Sequence, residues 1–173
     1  MATLIVICGL SFSGKSTLAK AISAKLAYEE VDVDTVGAKL YDLDINDPRL
    51  KQLDWDRVYA EADGIIEGRL RSGATVIDAS RNFTKKERES AHQVAKRSDA
   101  HFITIFVDTP EEIARRRRSL NKGSRARRDI TDEQFDEIVH VMQPPTEDEH
   151  PLVFHHDDEL DSWIDRNATN WGD

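Results

Sequence analysis

The chain is 173 residues long, with 33 acidic against 24 basic residues, a formal net charge of −9 and one cysteine. That length suits one ordinary domain able to bury about 70% of its extended-chain surface around a single core, and the lone Cys8 excludes a disulfide framework and is expected to pack in the interior. The N-terminus offers neither a basic n-region nor a long apolar stretch, so no secretory signal or membrane span is expected and a cytoplasmic location is the default.

Taken in chain order, TLIVIC at residues 3–8 reads as a buried β-strand. A helix is predicted over 16–27, where Leu18, Ala21, Ile22 and Leu26 recur at helical spacing. EEVDV reads as a short strand ending near Asp34, VGAKLYDL as a weak helix, and NDP at 46–48 as a turn. Over 54–71 one face stays apolar (Trp55, Val58, Tyr59, Ala62, Ile65, Ile66, Leu70), with Asp54 placed to cap and Gly73 to terminate. ATVIDA is the next strand, and a helix over 84–97 opens with the capping box Thr84/Glu87. HFITIFV at 101–107 is a further strand. Thr109 is expected to cap a helix that starts at Pro110 and carries two glutamates at its positive end. Residues 119–128 read as a mobile loop, PLVFH at 151–155 as a last strand and ELDSWIDRN as a terminal helix. Strands alternating with helices predict an α/β fold with a parallel sheet covered on both faces and functional residues at the C-terminal strand ends.

One segment is more specific than the rest. Residues 9–17, GLSFSGKST, match the phosphate-binding signature GxxxxGKS/T, lying between a predicted strand and a predicted helix. That order brings successive backbone N–H groups around one phosphate at a helix N-terminus. Gly9, Ser11, Ser13, Gly14, Lys15, Ser16 and Thr17 are thus the candidate nucleotide-binding residues. Lys15 is expected to reach the β and γ phosphates, and the Ser16 hydroxyl to ligate Mg²⁺.

Acids at strand ends supply the complementary half. Transfer of a phosphoryl group to an alcohol needs an acceptor held in line and often a carboxylate to receive its proton. Asp34 is the candidate carboxylate, its alternative role being a helix cap; Asp32 and Asp78 are expected to hold Mg²⁺ through water. The basic residues are concentrated at 115–128, RRRRSLNKGSRARR, which holds eight of them and leaves the remainder 16 basic against 33 acidic. Ile113 and Leu120, seven residues apart, are expected to share the packed face of that helix. The segment reads as a flap over a triphosphate, about residues 119–131, with Arg118 and Arg125 as candidate catalytic arginines. The pair His155/His156 lacks metal-ligand spacing and is expected in a surface loop that flanks a nucleotide base.

GLSFSGKST, VDVDTVG around Asp34, VIDAS through Arg88, VDTPEEIARRRR and DITDEQFDEIVHVMQPPTEDE, in this order, resemble the small P-loop kinases and their polynucleotide kinase-like branch. The resemblance spans the whole chain. It implies a P-loop NTPase fold with a five-stranded parallel sheet, ATP with Mg²⁺ as donor, Lys15 and Ser16 at the phosphates, Asp34 as the acceptor-side base and lid arginines within 115–128. It also has a gap: polynucleotide kinases are similar in placing an arginine three residues after the base aspartate, whereas this chain has Gly37. Lys39, Arg81 or Arg88 are the available stand-ins. A shikimate kinase-like pattern would match Asp32/Asp34 but wants glycines where Ala79, Ser80 and Arg81 stand.

Three functions follow from the sequence. A kinase would act on a hydroxyl of a small metabolite, a nucleoside-like molecule or a nucleic-acid 5′-end. A nucleotide-dependent switch or ATPase would use Asp34–Gly37 as a DxxG, although that lies too early in the chain and no NKxD accompanies it. A nucleic-acid-binding protein would use the 115–128 segment, against an acidic remainder and only 7% aromatic residues.

Overall fold

Five strands, Thr3–Cys8 (β1), Glu29–Val31 (β2), Thr75–Asp78 (β3), His101–Asp108 (β4) and Leu152–His155 (β5), form one parallel sheet in the order β2-β3-β1-β4-β5. The structure, a computed structural model, describes every residue except 46, 125–129, 172 and 173. The helices are Lys15–Leu26 (α1), Val33–Leu40 (α2), Trp55–Arg71 (α3), Lys85–Arg97 (α4), Glu111–Ser124 (α5), Asp132–Val141 (α6) and Leu160–Asn167 (α7), with a 3₁₀ turn at Pro48–Gln52. Among the described residues no helix is long and apolar enough to cross a membrane.

The period-two alternation of the strands divides the core into two layers. Ile5 and Ile7 of β1, Ile77 of β3 and Ile103, Ile105 and Val107 of β4 face Leu18 and Ile22 of α1 and Trp163 and Ile164 of α7. Leu4 and Val6, with Val31 and Val76, face Val58, Ala62 and Ile66 of α3 and Ala91 and Val94 of α4. The chain leaves β1 in one direction to reach β2 and returns through β3, so β1 and β3 are neighbours at a topological switch point, where a crevice opens beyond the C-terminal strand ends.

Most predicted boundaries hold to within two residues, and the exceptions have physical causes. β2 stops at Val31, so α2 starts at Val33, and the cap is Asp32, whose Oδ1 accepts from the Thr35 amide at 2.8 Å. Asp34 is thereby in the first turn of α2 and not at the strand end. The Thr109 hydroxyl does not cap α5; it donates to the Ser13 carbonyl at 2.9 Å, joining the end of β4 to the phosphate loop. α5 continues to Ser124, so the expected loop from Ser119 is helical over its first half, and Arg125 with the rest of 125–129 lies outside the described residues. Its packed face is also different. Ala114, Arg118 and Asn121 are buried, whereas Leu120 is 68% exposed. α6 is an addition; its start carries the capping box Thr131/Gln134.

Candidate active site

The loop between β1 and α1 turns at Gly9 (φ 143°) and Gly14 (φ 118°), conformations that side chains with a Cβ rarely adopt. Gly9 also has no space: a Cβ there would lie 2.7 Å from the Val107 carbonyl oxygen and 3.1 Å from Ser13 Oγ. The glycine therefore lets the loop press against β4. Lys15 is buried and its Nζ donates to the carbonyls of Gly9 and Leu10, both at 2.8 Å, under the ring of Phe83 with 5.1 Å to the centroid. Ser13 Oγ is buried without a protein partner, as befits a loop whose donors serve a ligand.

Beside this loop is a cavity of about 430 Å³, lined by Phe12, Gly14 and Thr17 from the loop and α1, Arg117 and Asn121 from α5, and Phe154 and His156 from the end of β5 and the turn beyond it. Its size and mixed lining suit a nucleoside. His156 thus flanks the cavity as expected, while His155 is the last residue of β5 and sits 3.2 Å from Asp108.

Of the four consecutive arginines, Arg117 reaches the loop: its Nη1 donates to the Ser13 carbonyl at 2.5 Å. Sequence reasoning missed it because four identical neighbours give no local signal for which one turns inward. Arg118 is directed elsewhere. It is 4% exposed, donates to the Ile130 carbonyl at 3.0 and 2.7 Å, pairs with Asp132 and lies over the Phe135 ring. Its guanidinium ties α5 to α6.

Beside β1, Asp78 ends β3 in register with Val6 of β1 and Val31 of β2, two residues before β1 ends at Cys8. It is 1% exposed; Oδ2 accepts from Arg81 Nε at 2.8 Å, and Oδ1 makes longer contacts of 3.3 Å to the amide and hydroxyl of Ser80. Arg81 also pairs with Asp63 and covers the Tyr59 ring at 5.4 Å. Burial alone would lower the Arg81 pKa, but Asp78 and Asp63 more than reverse this and hold it above the usual arginine value. Tyr59 is pushed up by burial first and then by the charges of Glu87, Asp34 and Asp78, against an opposing effect of Arg81. Asp34, Asp78, Glu87 and Arg81 thus converge electrostatically on one tyrosine. In the sequence Tyr59 is visible only as part of an apolar face, and Asp63 carries no signal.

Of the possible stand-ins for the arginine missing at Gly37, the fold brings Arg81 to this cluster. Arg88 is held by Glu149 at 2.6 and 3.0 Å, and Lys39 lines a separate groove with Glu30, Glu61 and Arg69. Cys8 is core: burial pushes its thiol up to about 12. Among the described residues no three acidic, histidine or cysteine side chains come together as a metal cage.

A parallel sheet in this strand order, with a GxxxxGKS/T loop following β1 and Asp78 at the end of the neighbouring β3, defines a kinase-like P-loop nucleotide-binding protein. The chain belongs to the AAA domain family, whose model matches residues 4–145. It is 24% identical over 135 residues to the L-seryl-tRNA(Sec) kinase of Methanococcus maripaludis, covering 78% of this chain and 52% of that protein, so it spans about half the length of this relative. Among solved structures it is similar to Chaetomium thermophilum Kti12 in complex with ADP-AlF3, with a TM-score of 0.78 and 19% identity over 98% of this chain and all of that one. It is also similar to the Mycobacterium tuberculosis APS kinase CysC in complex with AMPPNP and APS, with a TM-score of 0.63 and 21% identity over 95% and 94% of the two chains.

Proposed function

We propose that this protein is an ATP-dependent kinase that transfers the γ-phosphate to a hydroxyl group. The observation that carries the proposal is the apposition at the switch point of a phosphate loop holding Lys15 and a strand end holding Asp78, with Asp34 at the start of the adjoining helix. A binding module needs the loop alone; a kinase needs a second, acid-bearing side for the acceptor.

In this reading the loop amides and Lys15 hold the β and γ phosphates while the base and ribose enter the cavity beside Arg117 and His156. Arg117, already at the Ser13 carbonyl, is the described arginine placed to compensate charge on the phosphates. The acceptor hydroxyl attacks the γ phosphorus, the bond to the β-bridging oxygen breaks, ADP leaves and Asp34 takes the hydroxyl proton. Asp34 stands in the first turn of α2, beside Asp32, which serves as the cap of that helix.

The oxygen donors also fit Mg²⁺ in the manner usual for that ion, carried mainly by phosphates and water with few protein ligands. Ser16 would supply a hydroxyl and Asp78 a carboxylate acting through water; when bound, the ion would neutralise charge on the triphosphate. A γ-phosphate transfer screen over small alcohols, nucleosides and 5′-hydroxyl oligonucleotides tests the proposal. Labelled product is expected for at least one class, and release of inorganic phosphate alone would overturn it in favour of an ATPase or switch.

A further inference from the structure

We propose that the acceptor side of this site takes a neutral or ammonium-bearing alcohol and rejects an alcohol that carries phosphate or carboxylate near the reacting hydroxyl. This rests on the kinase reading and adds the charge class of its substrate.

The first support is steric. Gly37, one turn after Asp34, is buried, and a Cβ there would lie 3.0 Å from Leu53 Cδ1 and 3.5 Å from both methyl carbons of Val58. A side chain at this position, three residues after Asp34, would press on Leu53 and on Val58 of α3 and need them to give way by a few tenths of an ångström, and the chain carries no cation there.

The second support is electrostatic. Arg81 is the guanidinium brought to Tyr59, but it is 8% exposed and shared between Asp78 and Asp63. One positive charge between two carboxylates leaves this three-residue cluster net negative, which opposes an incoming anion. Arg88 is consumed by Glu149 and by the carbonyls of Asn82 and Phe83, and Lys39 faces another groove. Asp34 and Glu87 add to the negative side of the Tyr59 neighbourhood.

The test uses the intact chain, γ-labelled ATP with Mg²⁺ and acceptors paired so that the second member carries the added negative charge: adenosine against adenosine 3′-monophosphate, and serine methyl ester against N-acetylserine. For each pair that reacts, kcat/KM should favour the uncharged or ammonium-bearing member by about 10-fold or more, and the preference should shrink as ionic strength screens the cluster. Asp63→Asn, which frees Arg81 from one carboxylate, should narrow the ratio by about 3-fold or more, and Asp63→Glu should leave it in place. Equal or reversed preference, a ratio indifferent to salt, or an Asp63→Asn ratio equal to that of the parent would overturn this inference while leaving the kinase intact. No labelled product from any acceptor would instead overturn the kinase reading and this inference with it.

Discussion

Arg88→Met tests how the acceptor-side loop is held in place. Arg88 is 1% exposed and spans two elements distant in sequence: Nε and Nη2 grip the Glu149 carboxylate at 2.6 and 3.0 Å, and Nη1 reaches the carbonyls of Asn82 and Phe83 at 3.3 and 3.5 Å. Burial alone would lower the Arg88 pKa, yet the Glu149 hydrogen bond raises it; burial alone would raise the Glu149 pKa, yet Arg88 and the Thr146 amide lower it. Removing the guanidinium leaves a carboxylate only 12% exposed without its counter-charge. Breaking such a pair from one side costs about 3–5 kcal/mol, a large share of the roughly 5–15 kcal/mol that holds a domain together. At about 2–4 °C per kcal/mol for this chain length, Tm should fall by roughly 6–20 °C. Thermal melts measure the shift and urea denaturation the free energy, and the double variant Arg88→Met/Glu149→Gln should recover more than half of the loss, because no charge is then stranded. Since the Glu149 pKa is lower folded than unfolded, its contribution is complete above the unfolded value of about 4.3 and disappears as pH falls through the folded one. The single variant should lack that acid dependence. A stability within about 0.5 kcal/mol of the parent, or a double variant no better than the single, would refute the reasoning.

Asp32→Ala should cost about 1 kcal/mol through the lost cap of α2, with turnover reduced little, whereas Asp34→Ala should lower kcat about 10²- to 10⁴-fold with nucleotide affinity retained; paired denaturation and kinetics decide between them. Gly9→Ala should destabilise by more than about 2 kcal/mol and abolish nucleotide binding, because its Cβ meets backbone and its φ is unfavourable; calorimetric titration with ATP checks it. Arg117→Ala should weaken ATP binding about 10-fold with little change in Tm, while Arg118→Ala should lower Tm and leave ATP affinity within about twofold, as titration and thermal melts will show.

The phosphate loop was legible because every part of it is contiguous: strand, glycines, lysine and helix follow one another within fifteen residues. The buried strands, the cap at Asp54 and the capping box at Thr84 were legible for the same reason. What escaped depends on partners far away. Asp32 and Asp34 are equally good caps by residue type, and the choice is made by where β2 stops pairing with β3 at Val31. The inward face of α5 is set by the Ile130 carbonyl and Asp132, beyond the masking influence of four identical arginines, and by Ser13, over a hundred residues earlier. Arg81 was a bare possibility until Asp63, on α3, drew it to Tyr59. α6 is different, since the Thr131/Gln134 pattern was local and available in the sequence.

The most direct test follows the label of γ-labelled ATP in the intact protein and in Asp34→Ala, with acceptor alcohols present. A kinase predicts labelled phosphate on an acceptor hydroxyl in proportion to ADP formed, lost in Asp34→Ala while nucleotide binding persists. Label found only as inorganic phosphate across the whole acceptor panel, at a rate that Asp34→Ala does not change, would contradict it.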